Sequence, residues 1–386
     1  MGEIETGLSF DDVLLVPRKS GILPADTDLS TRLSADLGMR IPILSSAMDT
    51  VTESDLAIAL AREGGVGVIH RNCTIDKQAD FVARVKRSEN AVIQSPFTVS
   101  SDLSIVDLEM VMRERGVAGF PVVDSESVLE GMVTSRDIWF IENPAKTRVR
   151  DVMTPREKLV TGAPDTSPSE AQRILYEHRI EKLPLMDEDG RLVGMITSQD
   201  IEKQQMYVNA CKDPNGQLRV GGALGVGEDY LERAAALAKA GVDAFFIDAA
   251  TGHTERVLAV LDDLKNQFPN VPVVAGNVVT AEGARELIEH GAAALKVGVG
   301  PGSICTTRVI SGVGVPQLSA VMEVAAVARA AGVVVIADGG IRYSGDIVKA
   351  LAAGADCVML GSLLAGTRES PGSMVNYQGR TFKEYR

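Results

Sequence analysis

Short apolar runs alternate with amphipathic stretches over most of the chain. Two of the stretches between the runs, residues 230–241 and 281–291, read as helices that end in a glycine suited to a C-cap. Continuous apolar runs are typical of strands that are buried on both faces of a parallel sheet. Eight runs are predicted as such strands: residues 41–47, 65–70, 218–224, 244–250, 271–277, 294–300, 333–339 and 357–362.

Most of these predicted strands are followed by a helical stretch, and eight such units predict an α/β fold of the (β/α)8 TIM-barrel type. An open, doubly wound sheet is the alternative. The number of strands and the lack of a dinucleotide-binding glycine fingerprint disfavour it.

One internal repeat interrupts this rhythm after the second unit. Residues 116–138 recur as residues 179–201 with a constant offset of 63 residues, and each copy predicts a helix, two strands around a turn and a further helix. The repeat therefore predicts an inserted α+β domain. We place the first part of the barrel at residues 1–92, the inserted domain at 93–205 and the second part of the barrel at 206–386.

Composition and charge narrow the classes of partner. The 386 residues are 45% hydrophobic but only 4% aromatic, and the net charge is −13. An acidic protein repels nucleic acid and anionic membranes, so we expect neither as a partner.

The first residues lack the basic and apolar regions of a signal peptide, which favours a cytoplasmic protein. The four cysteines and four histidines show no zinc-ligand spacing, and we expect free thiols.

Two glycine-containing turns follow the last two predicted strands. Backbone amides in such turns can approach a phosphate closely, and Ser362 adds a hydroxyl donor. Asp338 is anionic and therefore suits two ribose hydroxyls better than a phosphate. Together, residues 337–340 and 360–362 predict a site for a nucleoside monophosphate at the carboxyl ends of the strands.

Cys305 follows the sixth predicted strand in the sequence GVGPGSICTTR, at the same end of the barrel. A lone cysteine is usually a small buried residue. In this loop it stands beside hydroxyl groups and Arg308, where a thiol can ionise and attack carbon. The residues around Cys305 leave both interpretations open, a packed thiol and a nucleophile.

Several motifs carry a resemblance to a known family along nearly the whole chain. The segments LSFDDVLLVP, PILSSAMDTVTE, GGVGVIHRN, GPGSICTTRVISGVGVPQ, ADGGIRYSGDIVKALAAGA and YQGRTFKEYR resemble the IMP dehydrogenase/GMP reductase family. The repeat resembles a tandem CBS pair, a regulatory module that is also typical of that family. The resemblance implies oxidation of IMP to XMP with NAD, a step of guanine nucleotide synthesis.

The resemblance also implies roles for individual residues. Cys305 would attack C2 of the purine, hydride would pass to NAD, and the resulting thioimidate would be hydrolysed, with Thr307 assisting proton movement. Ribose and phosphate would be held by Ser303, Asp338, Gly340, Gly361, Ser362 and Tyr385. Ser46 and Met48 would line the purine, and the cofactor would face Asp248, Asn277 and Gly298.

A potassium ion would be held by the carbonyl groups of Gly300, Gly302 and Cys305. In the CBS pair, Asp137 and Asp200 would hold the ribose of adenine or guanine nucleotides. The competing interpretation is that both aspartates are ordinary residues of helix N-termini. The family pattern further implies a homotetramer, which the CBS modules can pair into an octamer.

The chain departs from the family pattern in two places. Ala249 and Thr251 stand where the family more often has a hydroxyl and then an imidazole or amide. The family's mobile flap, with its water-activating Arg–Tyr pair, would follow Arg386, so we expect the sequence to be an abbreviated form or to lack a C-terminal portion. GMP reductase, using NADPH, and an inactive nucleotide sensor are the alternative functions. The CBS insertion and the SSAMDTVTE segment favour the dehydrogenase.

Overall fold

The computed structural model describes residues 6–88, 92–93 and 96–386. The chain divides into two units, the first formed by the residues up to Ser88 together with Asn209–Arg386 and the second by the residues between them. Among the described residues, no helix is long and apolar enough to cross a membrane.

The first part of the first unit contains four strands and two helices. In chain order they are β1 (Thr31–Ser34), β2 (Leu37–Met39), β3 (Ile43–Ser45), α1 (Ser54–Arg62), β4 (Val66–Ile69) and α2 (Ile75–Arg87).

The second unit contains the internal repeat. Its elements are β5 (Val92–Ile93), α3 (Ile105–Arg115), β6 (Gly119–Val123), β7 (Leu129–Thr134), α4 (Val149–Val152), β8 (Thr154–Pro155), α5 (Pro168–His178), β9 (Lys182–Met186), β10 (Leu192–Thr197) and α6 (Ser198–Met206).

The chain then returns to the first unit. Its remaining elements are β11 (Val220–Leu224), α7 (Tyr230–Lys239), β12 (Ala244–Ile247), α8 (Glu255–Gln267), β13 (Val273–Val278), α9 (Ala281–Glu289), β14 (Ala294–Val297), α10 (Thr307–Ser311), α11 (Gln317–Ala331), β15 (Val334–Asp338), α12 (Ser344–Ala352), β16 (Cys357–Leu360), α13 (Ser362–Ala365), β17 (Met374–Tyr377) and β18 (Arg380–Lys383).

Eight parallel strands close into a barrel in the order β3-β4-β11-β12-β13-β14-β15-β16. Closure is made by β16, which pairs with β3 through Val358–Ile43 and Leu360–Ser45. The predicted TIM-barrel class is therefore confirmed and the open sheet is wrong. Each predicted run overlaps one barrel strand. Most strands end before their runs do because the last residues of a run already belong to the loop, whereas β13 continues one residue beyond its run, to Val278.

The barrel is filled from inside and covered from outside. Val68, Phe246, Ile336 and Met359 belong to the buried cluster inside it, and a larger cluster joins the strands to the helices. The hairpin β1–β2 contributes to the inner cluster, and Thr31 Oγ1 donates to the Asp356 carbonyl just before β16. The hairpin thus packs at the amino-terminal ends of the strands and leaves the carboxyl ends open.

The two copies of the repeat form matching halves of the second unit. Sheet β6-β7-β8 and sheet β5-β10-β9 each pack on their own apolar cluster. Serine side chains cap the helices α3 and α5 at equivalent positions, Ser104 and Ser167. The prediction of a new helix at the end of each copy holds for α6, whereas the first copy has only a 3-10 turn, Ser135–Ile138.

A buried ion cluster joins the two chain segments that flank the inserted residues. Lys86, near the end of α2, donates to Asp213 at 2.9 Å and to Asp243 at 2.9 and 3.1 Å. Burial raises the pKa of Asp243, and the Lys86 ammonium acts in the opposite direction. The lysine therefore compensates two carboxylates that the fold has removed from water.

We predict that Lys86→Met destabilises the protein by about 3–5 kcal/mol at neutral pH, because it leaves buried carboxylates without a counter-charge. Loss of the ammonium raises the pKa of Asp243 further. A carboxyl whose pKa is raised in the folded state binds its proton more tightly there, so the deficit should shrink as the pH falls. Urea denaturation at several pH values measures this. Arg87→Met, which removes an exposed ion pair with Asp80, is the control and should change stability by less than about 1 kcal/mol. A deficit independent of pH would contradict the electrostatic explanation.

Candidate active site at the barrel mouth

A cavity of about 650 Å³ opens at the carboxyl ends of the barrel strands. Its wall is built by the loops after β3, β14, β15 and β16 and by the chain near the C-terminus. The wall contains these residues that the sequence singled out: Ser46, Met48, Gly302, Ser303, Cys305, Asp338, Gly340, Gly361, Ser362 and Tyr385. The structure therefore places the cysteine loop and both glycine-containing turns around one opening.

The Cys305 thiol is exposed in this opening. Its loop turns so that the Cys305 amide donates to the Gly302 carbonyl at 3.1 Å, and the thiol lies 3.3 Å from Thr307 Oγ1. Thr307 is at the start of α10 and reaches the cavity through this contact. The interpretation of Cys305 as a small buried residue is wrong, whereas Cys211 and Cys357 are buried.

Arg308 acts on the loop rather than on the thiol. Its Nε donates to the Val299 carbonyl at 3.1 Å and its Nη2 to the Val315 carbonyl at 2.5 Å, so one side chain joins the two ends of the loop. A Cβ on Gly300 would lie 2.5 Å from Arg308 Cγ, and Gly300 has a φ of 74°. Glycine is required there. The hydrogen bonds of Arg308 therefore go to backbone carbonyls at the two ends of its own loop.

Asp338 is oriented by a hydrogen-bond network beneath the cavity. Its Oδ2 accepts from Asn277 Nδ2 at 2.9 Å and from Lys296 Nζ at 3.1 Å, and Lys296 is buried. Asn277 also donates to the Gly298 carbonyl at 2.6 Å, and its Oδ1 contacts Lys296 Nζ. The amide of Asn277 is thus committed to internal partners, and through them it fixes the direction of the Asp338 carboxylate.

Gln317 is a site residue that the sequence analysis missed. At the start of α11, its Nε2 donates to the carbonyls of Val297 at 2.8 Å and Asp338 at 3.0 Å, so it links the ends of β14 and β15. Gly298 allows this approach, since a Cβ there would lie 2.3 Å from the Asp338 carbonyl oxygen. The link holds the strand before the cysteine loop against the strand that ends in Asp338.

Tyr385 closes another side of the cavity. Burial raises the pKa of its phenol, and a hydrogen bond with the Ser303 side chain acts in the opposite direction. A Cβ on Gly361 would come within 2.8 Å of the Tyr385 hydroxyl. The bare backbone of Gly361 therefore makes room for the phenol beside Ser303.

A smaller cavity of about 120 Å³ adjoins the first one over the barrel interior. It shares Ser46, Met48 and Asp338 with the larger cavity and adds Asp248 and Lys296. Asp248 Oδ2 accepts from Arg71 Nε at 3.3 Å at the rim. Of the three residues expected to face a cofactor, Asp248 thus lies beside those expected to line the purine, whereas Asn277 and Gly298 line neither of these two cavities.

The segment before the barrel also belongs to the wall, which no local sequence pattern indicated. Phe10 and Asp11 line the large cavity together with Arg342, which follows the turn after β15. Lys349 donates to the Phe10 carbonyl at 2.7 Å and holds the segment on α12. Only the folded chain brings these residues together, because more than 300 positions separate Asp11 from Arg342.

The second unit has a cavity of about 300 Å³ of its own, lined by Asp137, Lys158, Arg179 and Lys182 among others. Asp137 Oδ2 accepts from the amide and the hydroxyl of Thr134, both at 2.7 Å. The capping interpretation of Asp137 is therefore correct for one of its oxygens. The side chain of Asp200 lies outside the described residues.

Comparison with known proteins decides the family. The model of the IMP dehydrogenase/GMP reductase domain matches residues 7–386. The chain belongs to the IMP dehydrogenase/GMP reductase family. An inosine-5'-monophosphate dehydrogenase from Aquifex aeolicus is 54% identical over 385 residues, which is 100% of this chain and 78% of that protein. One from Bacillus subtilis is 52% identical over 382 residues, covering 98% and 78%.

Solved structures of the same family share the fold. A GMP reductase variant from Trypanosoma brucei in complex with guanosine 5'-monophosphate superimposes with a TM-score of 0.92 at 39% identity, covering 98% of this chain and 81% of that one. The GMP reductase from the same organism in complex with guanosine 5'-triphosphate gives 0.89 at 40% identity, with coverage of 95% and 89%.

We predict that the Cys305 thiol reacts fast with a thiol reagent at neutral pH and gives one fast phase in the labelling of the protein. Cys305→Ala should remove that fast phase. Burial raises the pKa of Cys73, raises that of Cys211 to about 11, and raises that of Cys357 further. Thiolate is the reactive form, so these three should react slowly until the protein unfolds. Stopped-flow labelling measures the rates. Cys73→Ala is the control and should keep the fast phase, while a fast phase that survives in Cys305→Ala would contradict the assignment.

Proposed function

We propose that this chain oxidises IMP to XMP, with NAD as hydride acceptor, in guanine nucleotide synthesis. The observation that carries the proposal is the exposed thiol of Cys305 in the same cavity as Asp338 and Ser362. A nucleophile for the base and donors for the phosphate then act on one ligand. Relatives at 51–54% identity are named as IMP dehydrogenases, which favours this reaction over GMP reduction.

The chemistry starts with addition of the Cys305 thiolate to C2 of the purine. Addition breaks the aromaticity of the ring and turns the C2–H bond into a hydride donor, which an aromatic C–H is not. NAD supplies the hydride acceptor when it is bound. Water then replaces sulfur at C2, giving XMP and the free thiol. Thr307 would pass the protons of both steps, and the 3.3 Å separation of its Oγ1 from the sulfur supports this role.

The substrate would be held across the mouth. Asp338, oriented from below, accepts the two ribose hydroxyls through the oxygen that its internal bonds leave unused. Purine contacts fall to Ser46 and Met48. The phosphate would be bound by Ser303, Gly340, Gly361, Ser362 and Tyr385.

NAD and a potassium ion complete the proposed site. Asp248, in the adjoining small cavity, offers a carboxylate for the ribose of NAD. Asn277 and Gly298, which are hydrogen-bonded to each other, would be the other cofactor contacts. Potassium accepts carbonyl oxygens as ligands. Gly300, Gly302 and Cys305 would supply them from one turn, and in the described residues no cluster of acidic, histidine or cysteine ligands offers a competing metal site.

We predict that the protein releases NADH when it is incubated with IMP and NAD, and that Cys305→Ala lowers kcat by roughly a thousandfold or more. Intact mass spectrometry should detect a purine adduct on the wild-type chain and none on Cys305→Ala. Cys73→Ala is the matched control. Consumption of NADPH with GMP would instead establish the reductase, and nucleotide binding without turnover of either pair would leave the sensor.

We further infer that the repeat is a CBS module that binds an adenine or guanine nucleotide. The cationic side chains of Lys158, Arg179 and Lys182 suit phosphates, while Asp137, and Asp200 in the other copy, would accept ribose hydroxyls. Asp137 keeps Oδ1 outside its capping bonds.

We predict that Asp137→Ala weakens ATP or GTP binding by about tenfold, because it removes a charged acceptor. Calorimetry measures the affinity. Thr134→Val is the control, since it removes a capping bond and keeps the carboxylate, and it should change binding much less. Equal losses in the two variants would mean that Asp137 is only a cap.

Assembly as a homotetramer, with pairing of modules into an octamer, completes the proposal. Exposed apolar side chains support an interface on the barrel unit, for example Val309 at 84% and Ile310 at 81% exposure. Sedimentation of the wild-type chain would report the assembly directly.

A further inference from the structure

The charges in the wall of the large cavity do not match a phosphate. A nucleotide monophosphate carries close to two negative charges at neutral pH. The described wall contains two acidic side chains, Asp11 and Asp338, and two cationic ones, Arg308 and Arg342. Arg308 donates to the carbonyls of its own loop, so Arg342 is the wall cation whose guanidinium is not committed to backbone carbonyls.

Arg342 is fixed by its backbone, and its guanidinium makes an exposed ion pair. Arg342 follows Gly340 by two residues, and its backbone amide donates to Asp346 Oδ2 at 3.0 Å. Asp346 lies at the start of α12. Its Nη2 pairs with Asp11 Oδ2, and the two side chains are 53% and 64% exposed. Exposed ion pairs contribute at most about 1 kcal/mol, so the guanidinium can exchange partners at little cost.

We propose that Arg342 is a further substrate-binding residue, whose guanidinium leaves Asp11 and pairs with the phosphate of the bound nucleotide. A guanidinium can donate two parallel hydrogen bonds to a phosphate, which is more favourable than a solvated pair with a carboxylate. Asp11 holds the cation at the mouth of the cavity and competes with the phosphate. The proposal rests on the proposed function, because it assumes a nucleotide in this cavity.

This exchange has a signature that a structural role of Arg342 lacks. The arginine should affect ligands that carry the phosphate and leave the nucleoside unaffected. Removal of Asp11 should act in the opposite direction, because it removes the competitor for the guanidinium. Part of the salt dependence of nucleotide binding should disappear with Arg342, since salt screens an exposed charge pair.

The experiment compares the binding of IMP and inosine by calorimetry at low and high salt. We expect Arg342→Gln to weaken IMP about tenfold at low salt and to leave inosine unchanged. Arg342→Lys should recover part of the loss, and Asp11→Asn should tighten IMP several-fold. Arg84→Gln, which removes an equally exposed pair with Asp55 on the outside of the barrel unit, is the matched control and should change neither ligand.

The outcomes separate this inference from the function on which it rests. Equal effects of Arg342→Gln on IMP and inosine, or unchanged IMP binding, would overturn the role of Arg342 while the wild-type chain still binds IMP. Weaker IMP binding by Asp11→Asn would show that the pair supports the wall and does not compete. If the wild-type chain bound no IMP at all, the proposed function itself would fail.

Discussion

Pairing of the last barrel strand with the first is the constraint on which the site depends. Because β16 hydrogen-bonds to β3, the loops after β3, β14, β15 and β16 share one opening. An open sheet would place the loop after β3 far from the loop after β16, and no single ligand could touch both. Barrel closure therefore gathers a thiol, an oriented carboxylate and two glycine-containing turns around one cavity.

The loops around that opening are held in place by side chains whose hydrogen bonds go to other parts of the protein. The groups that would contact the substrate do not provide these bonds. Arg308 closes the cysteine loop through two carbonyls, and Gln317 links the ends of β14 and β15. Lys296 and Asn277 direct the carboxylate of Asp338. This division agrees with the general need to hold reacting groups within a fraction of an ångström, since misplacement of reacting groups lowers rate steeply.

The inserted module shows how much of a structure an internal sequence repeat can predict. The constant offset predicted two similar halves, and the caps at Ser104 and Ser167 explain why both copies start their first helix at equivalent positions. The offset could not predict that the first copy ends in a short 3-10 turn where the second forms α6. A local pattern sets where a helix starts, whereas packing decides how long it continues.

The sequence by itself determined the eight buried strands, the repeat and the family, because each is written in a contiguous run or motif, and it singled out the Cys305 loop for the same reason. It also placed Asp338 and Ser362 at the mouth, since strand ends follow from strand positions. Only the tertiary structure decided that Arg308 joins the two ends of the cysteine loop, that Gln317 links two strands, and that Asp11 pairs with Arg342. Barrel closure and the directions of the side chains decide which residues meet in these contacts. Short-range periodicity in the sequence encodes neither of them.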